Sequence, residues 1–343
     1  MPRIPSAMSK DMDKVRWLLV GAGDIARKRV APAMHDAKDA EIVGVCSRRH
    51  ECVQALANEF DASESYTDFD EALEATQADA VYLATPVYYH VDHAIKTLQS
   101  GKHVLIEKPL GLNARECEPL LNAATQSGCK AACAYYRRFF PRFEMAKQMI
   151  EAGEFGRVVS VRMAYHAWFD PSPDDPKYWR VQKAKAGGGA LYDMGSHMFD
   201  FLIALFGLPQ CVYARCENLV HNWDVEDSAS VVMILQNGAQ VVFSCGWNSQ
   251  TWRHEMEIIG TKARLTWSPF DSGAVLKTVG RETESLDLPN AQNVHGPLIE
   301  DFVQAVLTNR APRVPLEAAA QTNLLLDAIY QSSNEKREIS LPS

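Results

Sequence analysis

The sequence lacks any apolar run of the roughly 18–20 residues that cross a bilayer, and its first fourteen residues are polar and mixed in charge, without the apolar stretch of a secretion signal. Both absences point to a cytoplasmic chain with no membrane partner. Also absent are a Cys-x-x-Cys pair and any Cys/His cluster at zinc-finger spacing. The eight cysteines, at 46, 52, 117, 129, 133, 211, 216 and 245, are scattered, and they read as small buried hydrophobes in a reducing compartment. Clustered lysine and arginine are missing too: 35 Lys and Arg stand against 43 Asp and Glu, for a net charge of −8. That balance argues against a nucleic-acid partner or an anionic membrane surface. It leaves room for a small phosphorylated ligand, which needs only a local positive field. No internal repeat or low-complexity tract is present.

What remains is a chain of 343 residues, 47% hydrophobic and 23% charged, with apolar material for two cores. A single core stops growing at roughly 250–300 residues, so two domains are expected. The boundaries are a loose tail at 1–14, a first domain at 15–137 and a second at 138–343, with the C-terminal helices free to pack back on the first. In the first domain, strand-like runs alternate with helical stretches of about ten residues: Val15–Val20, a helix to Lys38, Glu41–Cys46, helices over 51–59 and 68–76, Ala80–Ala84, a helix over 91–100, His103–Ile106, a helix over 114–126 and a strand near 130–134. This rhythm predicts an α/β, doubly wound parallel sheet covered on both faces. After Arg142 the rhythm changes. Strand-like runs at 158–165, 211–217, 228–235, 240–245 and 255–259 follow one another, and Asn237-Gly238 between two of them is a hairpin signal. The second domain is therefore read as α+β with a large, mainly antiparallel sheet, a long helix at 190–206 and closing helices at 298–307 and 316–332.

Three motifs carry chemistry. The first, Gly21-Ala22-Gly23-Asp24-Ile25-Ala26, matches G-x-G-x-x-[GA] between a strand and a helix. The first glycine suits a tight turn, the second admits a pyrophosphate to the backbone, and the small third residue lets helix and strand pack closely. Free N–H groups at the helix start then hold phosphate charge. This is the pattern of a Rossmann dinucleotide-binding domain; the bland alternative is a glycine turn with no ligand. About 20 residues on, where NAD-binding domains carry a carboxylate for the ribose, the chain reads Ser47-Arg48-Arg49. A guanidinium binds a 2′-phosphate that a carboxylate repels, so NADP is preferred and NAD is the alternative. The competing reading makes both arginines solvated helix-start charges.

The second motif is Glu107-Lys108-Pro109 at the end of the strand His103–Ile106, beside Thr85-Pro86 and His90 after the preceding strand. Ligands of doubly wound sheets bind at this edge. With the glycine turn, these blocks and the later run from Gly187 through Asp193 to His197 resemble the glucose-fructose oxidoreductase/inositol dehydrogenase/rhizopine catabolism (Gfo/Idh/MocA) family across nearly the whole chain. The third motif is that run's helix. It is apolar nearly all round and so buried, yet it sets Asp193, His197 and Asp200 at i, i+4 and i+7. A buried carboxylate or imidazole is costly unless bonded. The triple glycine before it offers close approach to a cofactor or substrate. A catalytic metal is disfavoured, since no H-E-x-x-H helix or third ligand is evident.

The resemblance implies that Lys108, Asp193 and His197 line the space beside a nicotinamide and interconvert an alcohol and a ketone. In that chemistry Lys108 stabilises charge on the substrate oxygen, His197 exchanges the hydroxyl proton and Asp193 orients the hydroxyl. Either Lys108 or His197 fits as the proton-transfer group. It also implies cofactor contacts from Gly21, Gly23, Asp24, Ile25, Ala26, Ser47, Arg48, Arg49, Thr85, Pro86, His90, Glu107, Lys108 and Arg180, a cis bond at Lys108–Pro109, and sheet packing between subunits of a homodimer or homotetramer. Trp168, Tyr178 and Trp179 flank a proline-rich loop and suit the faces of a sugar, polyol or cyclic alcohol, with aromatic diols as an alternative. Arg137 and Arg138 are read as interdomain, cofactor or surface charges, and Val158, Val241, Phe243, Trp247 and Trp252 as apolar sheet surface needing cover. Two other classes compete with an exchanging dehydrogenase: a closed-redox-cycle glycosidase or epimerase holding NAD tightly, and a non-catalytic cofactor-binding sensor.

Overall fold

The computed structural model describes residues 13–342, so the expected tail at 1–14 lies outside the described residues except for Asp13 and Lys14. Internal contacts divide the chain into two units. The first takes the stretch ending at Leu110, Arg115–Tyr136 and Ala291–Glu317; the second takes Gly111–Ala114, Arg137–Asn290 and the stretch from Ala318.

The first unit runs β1 (Val15–Val20), a wide π turn over Ala26–Val30, α1 (Ala31–Asp36), β2 (Ala40–Cys46), α2 (His50–Glu59), β3 (Glu64–Tyr66), α3 (Phe69–Ala75), β4 (Ala80–Leu83), α4 (His90–Gln99), β5 (His103–Ile106), α5 (Ala114–Ser127) and β6 (Ala131–Cys133). The six strands form one parallel sheet in the order β3-β2-β1-β4-β5-β6. The central strands are buried along nearly their whole length, as expected of parallel strands covered on both faces. Short β3 escaped the sequence reading because Glu64-Ser65-Tyr66 is neither apolar nor alternating.

The second unit carries α6 (Pro141–Glu151), β7 (Val158–Trp168), α7 (Lys183–Ala186), a π turn over Leu191–Gly195, α8 (Ser196–Phe206), β8 (Cys211–Glu217), β9 (Ser228–Ile234), β10 (Gln240–Gly246), β11 (Asn248–Gly260), β12 (Ala263–Trp267), β13 (Val275–Val279) and β14 (Glu282–Leu286). The chain then forms α9 (Gly296–Leu307), which rejoins the first unit by setting Phe302 against Trp17, ring centroids 5.4 Å apart. It ends in α10 (Leu316–Glu335) and β15 (Ile339–Ser340). The nine-stranded sheet has the order β14-β13-β12-β11-β7-β10-β9-β8-β15 and is antiparallel except for the β10–β7 pair.

Its inner face is set by alternation. Val212, Val231, Val241, Phe243, Met256 and Leu265 are buried, and Phe243 meets Phe199 of α8 edge-on at 4.8 Å. This corrects one expectation: Val158, Val241, Phe243 and Trp247 are core residues, and of that set only Trp252 is exposed. The apolar side chains left on the outer face have the opposite parity and include Val159, Tyr213, Val232 and Val242. A one-residue change of register exchanges the two faces of a strand. Among the described residues no helix is long and apolar enough to cross a membrane.

Candidate functional site

In the first unit, the ends of β1, β2, β4 and β5 bring four predicted segments to one sheet edge. Gly21 donates its N–H to Cys46 O at 2.8 Å, and Ala84 donates to Val20 O at 2.7 Å, so the glycine turn is laced to both neighbouring strands. Gly21 sits at φ +104°, and a Cβ there would lie 2.5 Å from Ala84 O. Its glycine is therefore required by the fold itself. Gly23 differs: a Cβ there would meet nothing within 4 Å among the described residues. No neighbouring residue in the structure demands a glycine at this position, which fits a cradle kept open for a phosphate. Thr85 Oγ1, beside this turn, is buried with no hydrogen-bond partner among the described residues, a polar atom suited to a ligand group. Asp24 is exposed and pairs with Lys28 at 3.3 Å, Ile25 is half-buried, and Ala26 is buried at the helix start.

At the end of β2, Ser47 is half-buried, whereas Arg48 and Arg49 are exposed. Arg49 caps α2, its carbonyl accepting from Cys52 and Val53. The Arg48 guanidinium lies 5.6 Å from the Tyr89 ring centroid. Pro86 is half-buried after β4. His90 is only 1% exposed, with one ring nitrogen 2.8 Å from Thr85 O and the other 2.8 Å from Pro109 O. It thus ties the β4 loop to the β5 loop, and burial pushes it below its ordinary value despite those carbonyls. Glu107 is also buried. Burial alone would raise its carboxyl, but His295 at 3.5 Å, the Tyr82 hydroxyl at 2.8 Å and neighbouring Lys108 hold it below the usual carboxylate range. Lys108 follows, half-buried, on a cis bond to Pro109.

In the second unit, Asp193 lies in the π turn and His197 in the first turn of α8. Asp193 is half-buried and Arg180 Nη1 lies 3.4 Å from its carboxylate; His197 is 4% exposed. Burial and the Asp193 charge push the Tyr165 hydroxyl up to about 12, so it stays a donor. The Arg180 guanidinium lies 5.7 Å from the Trp179 ring centroid, Tyr178 is half-buried, and Trp168 packs beside His221. The third member of the stripe, Asp200, is completely buried and held at 2.6–3.1 Å by Arg138. Arg137 makes an equivalent fork on Asp271 at 2.5–2.6 Å. Both arginines are buried and ion-paired within this unit, which excludes the surface-charge reading. The triple glycine serves the fold as well. A Cβ on Gly188 would overlap the Tyr330 hydroxyl and one on Gly189 the Glu226 carbonyl, so the close approach there is by the chain's own side chains and backbone.

Two family descriptions match in tandem: "Oxidoreductase family, NAD-binding Rossmann fold" over residues 15–135 and "GFO/IDH/MocA C-terminal domain" over 143–266. The chain belongs to the Gfo/Idh/MocA family of oxidoreductases. It is an NAD(P)-binding dehydrogenase or reductase of that family. Among similar proteins, D-xylose 1-dehydrogenase (NADP(+)) 2 of Haloferax volcanii is 28% identical over 331 residues, covering 94% of this chain and 98% of the relative. An aldose–aldose oxidoreductase of Caulobacter crescentus, solved with glycerol, shares the fold at a TM-score of 0.88 and 23% identity, over 96% of this chain and 100% of that one. The WlbA dehydrogenase of Bordetella pertussis, solved with NADH and UDP-GlcNAcA, does so at 0.84 and 24%, over 96% and 99%.

For this Gfo/Idh/MocA chain, sequence reasoning missed the residues that hold the motifs in place. Tyr82 and His295 support Glu107, and Glu226 with Tyr330 supports the glycine run. Tyr89 stands under Arg48. None lies near its partner in the sequence, so no motif reports them.

Proposed function

We propose that the protein is an NADP-preferring dehydrogenase or ketone reductase of a sugar, polyol or cyclic alcohol. The observation that carries the cofactor preference is the end of β2, where Ser47, Arg48 and Arg49 stand in place of a carboxylate. The NADP named for the Haloferax relative supports it; the NADH in the Bordetella complex keeps NAD as the alternative. Gly21, Gly23, Asp24, Ile25, Ala26 and Thr85 are the residues that would hold the dinucleotide. A bound nicotinamide supplies the hydride acceptor or donor. In this reading Lys108 donates to the substrate oxygen and offsets charge developing there, His197 exchanges the hydroxyl proton, and Asp193 with Arg180 orients the substrate. Trp168, Tyr178, Trp179 and Tyr165 offer ring faces and a hydroxyl to a ligand rich in C–H and O–H groups. The substrate names of the xylose and aldose relatives support a sugar-like ligand. The eight scattered cysteines suit a reducing cytoplasm, and the outer face of the nine-stranded sheet suits a homodimer or homotetramer.

The deciding experiment measures NADPH and NADH binding to the purified protein and to Arg48→Ala, then turnover of aldoses and polyols with each cofactor. Tighter NADPH binding that the variant loses, together with turnover of at least one aldose or polyol, is expected. Equal binding of NADH, or tightly held NAD that does not exchange, would overturn the NADP assignment.

A further inference from the structure

Arg48 is an exposed arginine at a strand end. Such a side chain has many rotamers, and ordering them is part of the cost of gripping a phosphate. Here the guanidinium lies over a ring, and the ring is not alone. Tyr89 stacks on His93 at 5.0 Å and 21°, and His93 stacks on Phe69 at 3.9 Å and 16°. Tyr88 packs against Tyr89 from its own side at 4.1 Å. Four rings from α3, the β4 loop and α4 thus form one pile that ends under Arg48.

The pile is itself fixed. Asp68 caps α3 by accepting the Glu71 N–H at 3.0 Å, which sets Phe69 at the helix start. Lys96 of α4 reaches Asp70 of α3 at 2.9 Å and so ties the two helices that supply the outer rings. Burial pushes His93 down to about 4, so its ring is neutral near pH 7 and adds no second cation beneath Tyr89.

We infer that Tyr89, held by the His93–Phe69 stack, is a specificity-determining positioning residue that orders the Arg48 guanidinium for the 2′-phosphate of NADP. This rests on the NADP reading above and deepens it. An aromatic face both attracts a guanidinium and limits where it points, so the ordering cost is met before the phosphate arrives. The benefit falls on NADPH, because NADH offers no 2′-phosphate.

The test is the ratio of NADH to NADPH dissociation constants, followed by nicotinamide fluorescence, for the parent, Arg48→Ala, Tyr89→Leu and the double variant. Arg48→Ala should cost NADPH about ten- to a hundredfold. Tyr89→Leu should lower the ratio about two- to fivefold, the range of an exposed cation–π contact, and Tyr89→Phe should restore it. In the Arg48→Ala background, Tyr89→Leu should leave the ratio where it is. A general loosening of the domain would weaken both cofactors and leave the ratio unmoved. If Arg48→Ala changes the ratio and Tyr89→Leu does not, the stack inference is wrong while the NADP reading survives. If Arg48→Ala changes nothing, both fall. Should Tyr89→Leu fail to fold, His93→Leu reads the same pile one ring deeper, and an unchanged ratio there overturns the inference.

Discussion

Both carboxylate oxygens of Glu226 lie 3.0 Å from the backbone nitrogen of Gly189. The same buried carboxylate accepts the Leu191 N–H at 2.9 Å and the Tyr330 hydroxyl at 2.8 Å. Helix starts leave N–H groups without intrahelical partners, and here one side chain takes up two of them just before Asp193 and His197. Burial raises the Glu226 carboxyl above its ordinary value, and these donors oppose the shift.

Glu226→Ala should therefore strip three buried donors of their acceptor. At about 1–3 kcal/mol for each group left unsatisfied, with partial relaxation, the expected loss is on the order of 3–5 kcal/mol. Glu226→Gln keeps one carbonyl acceptor and should lose less. Urea unfolding of the three proteins checks the order, and an alanine variant as stable as the parent would show that the carboxylate is not what holds the turn.

The two glycines of the first motif should respond in opposite ways. Gly21→Ala places a Cβ against the Ala84 carbonyl at positive φ, and the backbone strain alone costs about 1–3 kcal/mol. Gly23→Val meets no atom of the described residues at its Cβ, so its stability should stay within about 0.5 kcal/mol of the parent. Its affinity for NADPH and NADH should nevertheless fall about tenfold or more, because the branched side chain occupies the pyrophosphate cradle. Thermal unfolding and cofactor titration separate the two effects. Unaltered cofactor binding by Gly23→Val would place the phosphates elsewhere.

The contrast shows how much of the fold and site the sequence made legible. The strand Val15–Val20, the glycine turn and the strand His103–Ile106 announce themselves because local pattern and final environment agree: apolar runs bury on both faces of a parallel sheet. The edge strand β14 and its neighbour β13 did not, since Glu282–Leu286 is largely exposed and shows no alternation. In the candidate site, Lys108, Asp193 and His197 were nameable, whereas Tyr89, Glu226 and His295 were not. Their importance comes from tertiary neighbours, and periodicity reports only which face of an element is apolar. The sheet residues Val241 and Phe243 were recognised as apolar surface needing cover, but the face each takes becomes visible only with the cross-strand register.

Acid should destabilise the fold through two buried imidazoles. His103 Nδ1 accepts the Lys130 N–H at 2.8 Å, which requires that nitrogen to carry no proton, and burial pushes the ring down to about 4. Burial does the same to His254, with Asp271 pulling up and Arg137 pulling down. In the unfolded chain both rings take a proton near 6.5. Between about 6.5 and 4 the unfolded state therefore binds more protons, so the stability these rings contribute is full above that window and is lost as pH falls through it. The slope is at most about 1.4 kcal/mol per pH unit for each ring. Thermal midpoints measured from pH 8 to 4.5 should drop in this interval, and His103→Gln, whose amide oxygen still accepts from Lys130, should flatten the drop. A midpoint constant across the window would mean that neither ring is held neutral.

The outer face of the nine-stranded sheet makes the last prediction. Tyr213, Val232 and Val242 are 42%, 46% and 48% exposed and stand directly opposite one another on β8, β9 and β10. A row of apolar side chains across three adjacent strands marks an association surface more readily than scattered single residues do. If two copies of the chain meet there, one charge in the row is repeated on the partner by symmetry. Val242→Glu is the informative change because Arg162 faces position 242 on β7, so the new carboxylate gains a cross-strand partner and the protomer should still fold. A charge at both 232 and 242 would instead set like signs opposite each other and weaken the sheet itself. Light scattering should report the parent as a dimer or tetramer and Val242→Glu as a smaller species with an unchanged far-ultraviolet spectrum. A variant that keeps the parent's mass would move the subunit contact away from this face.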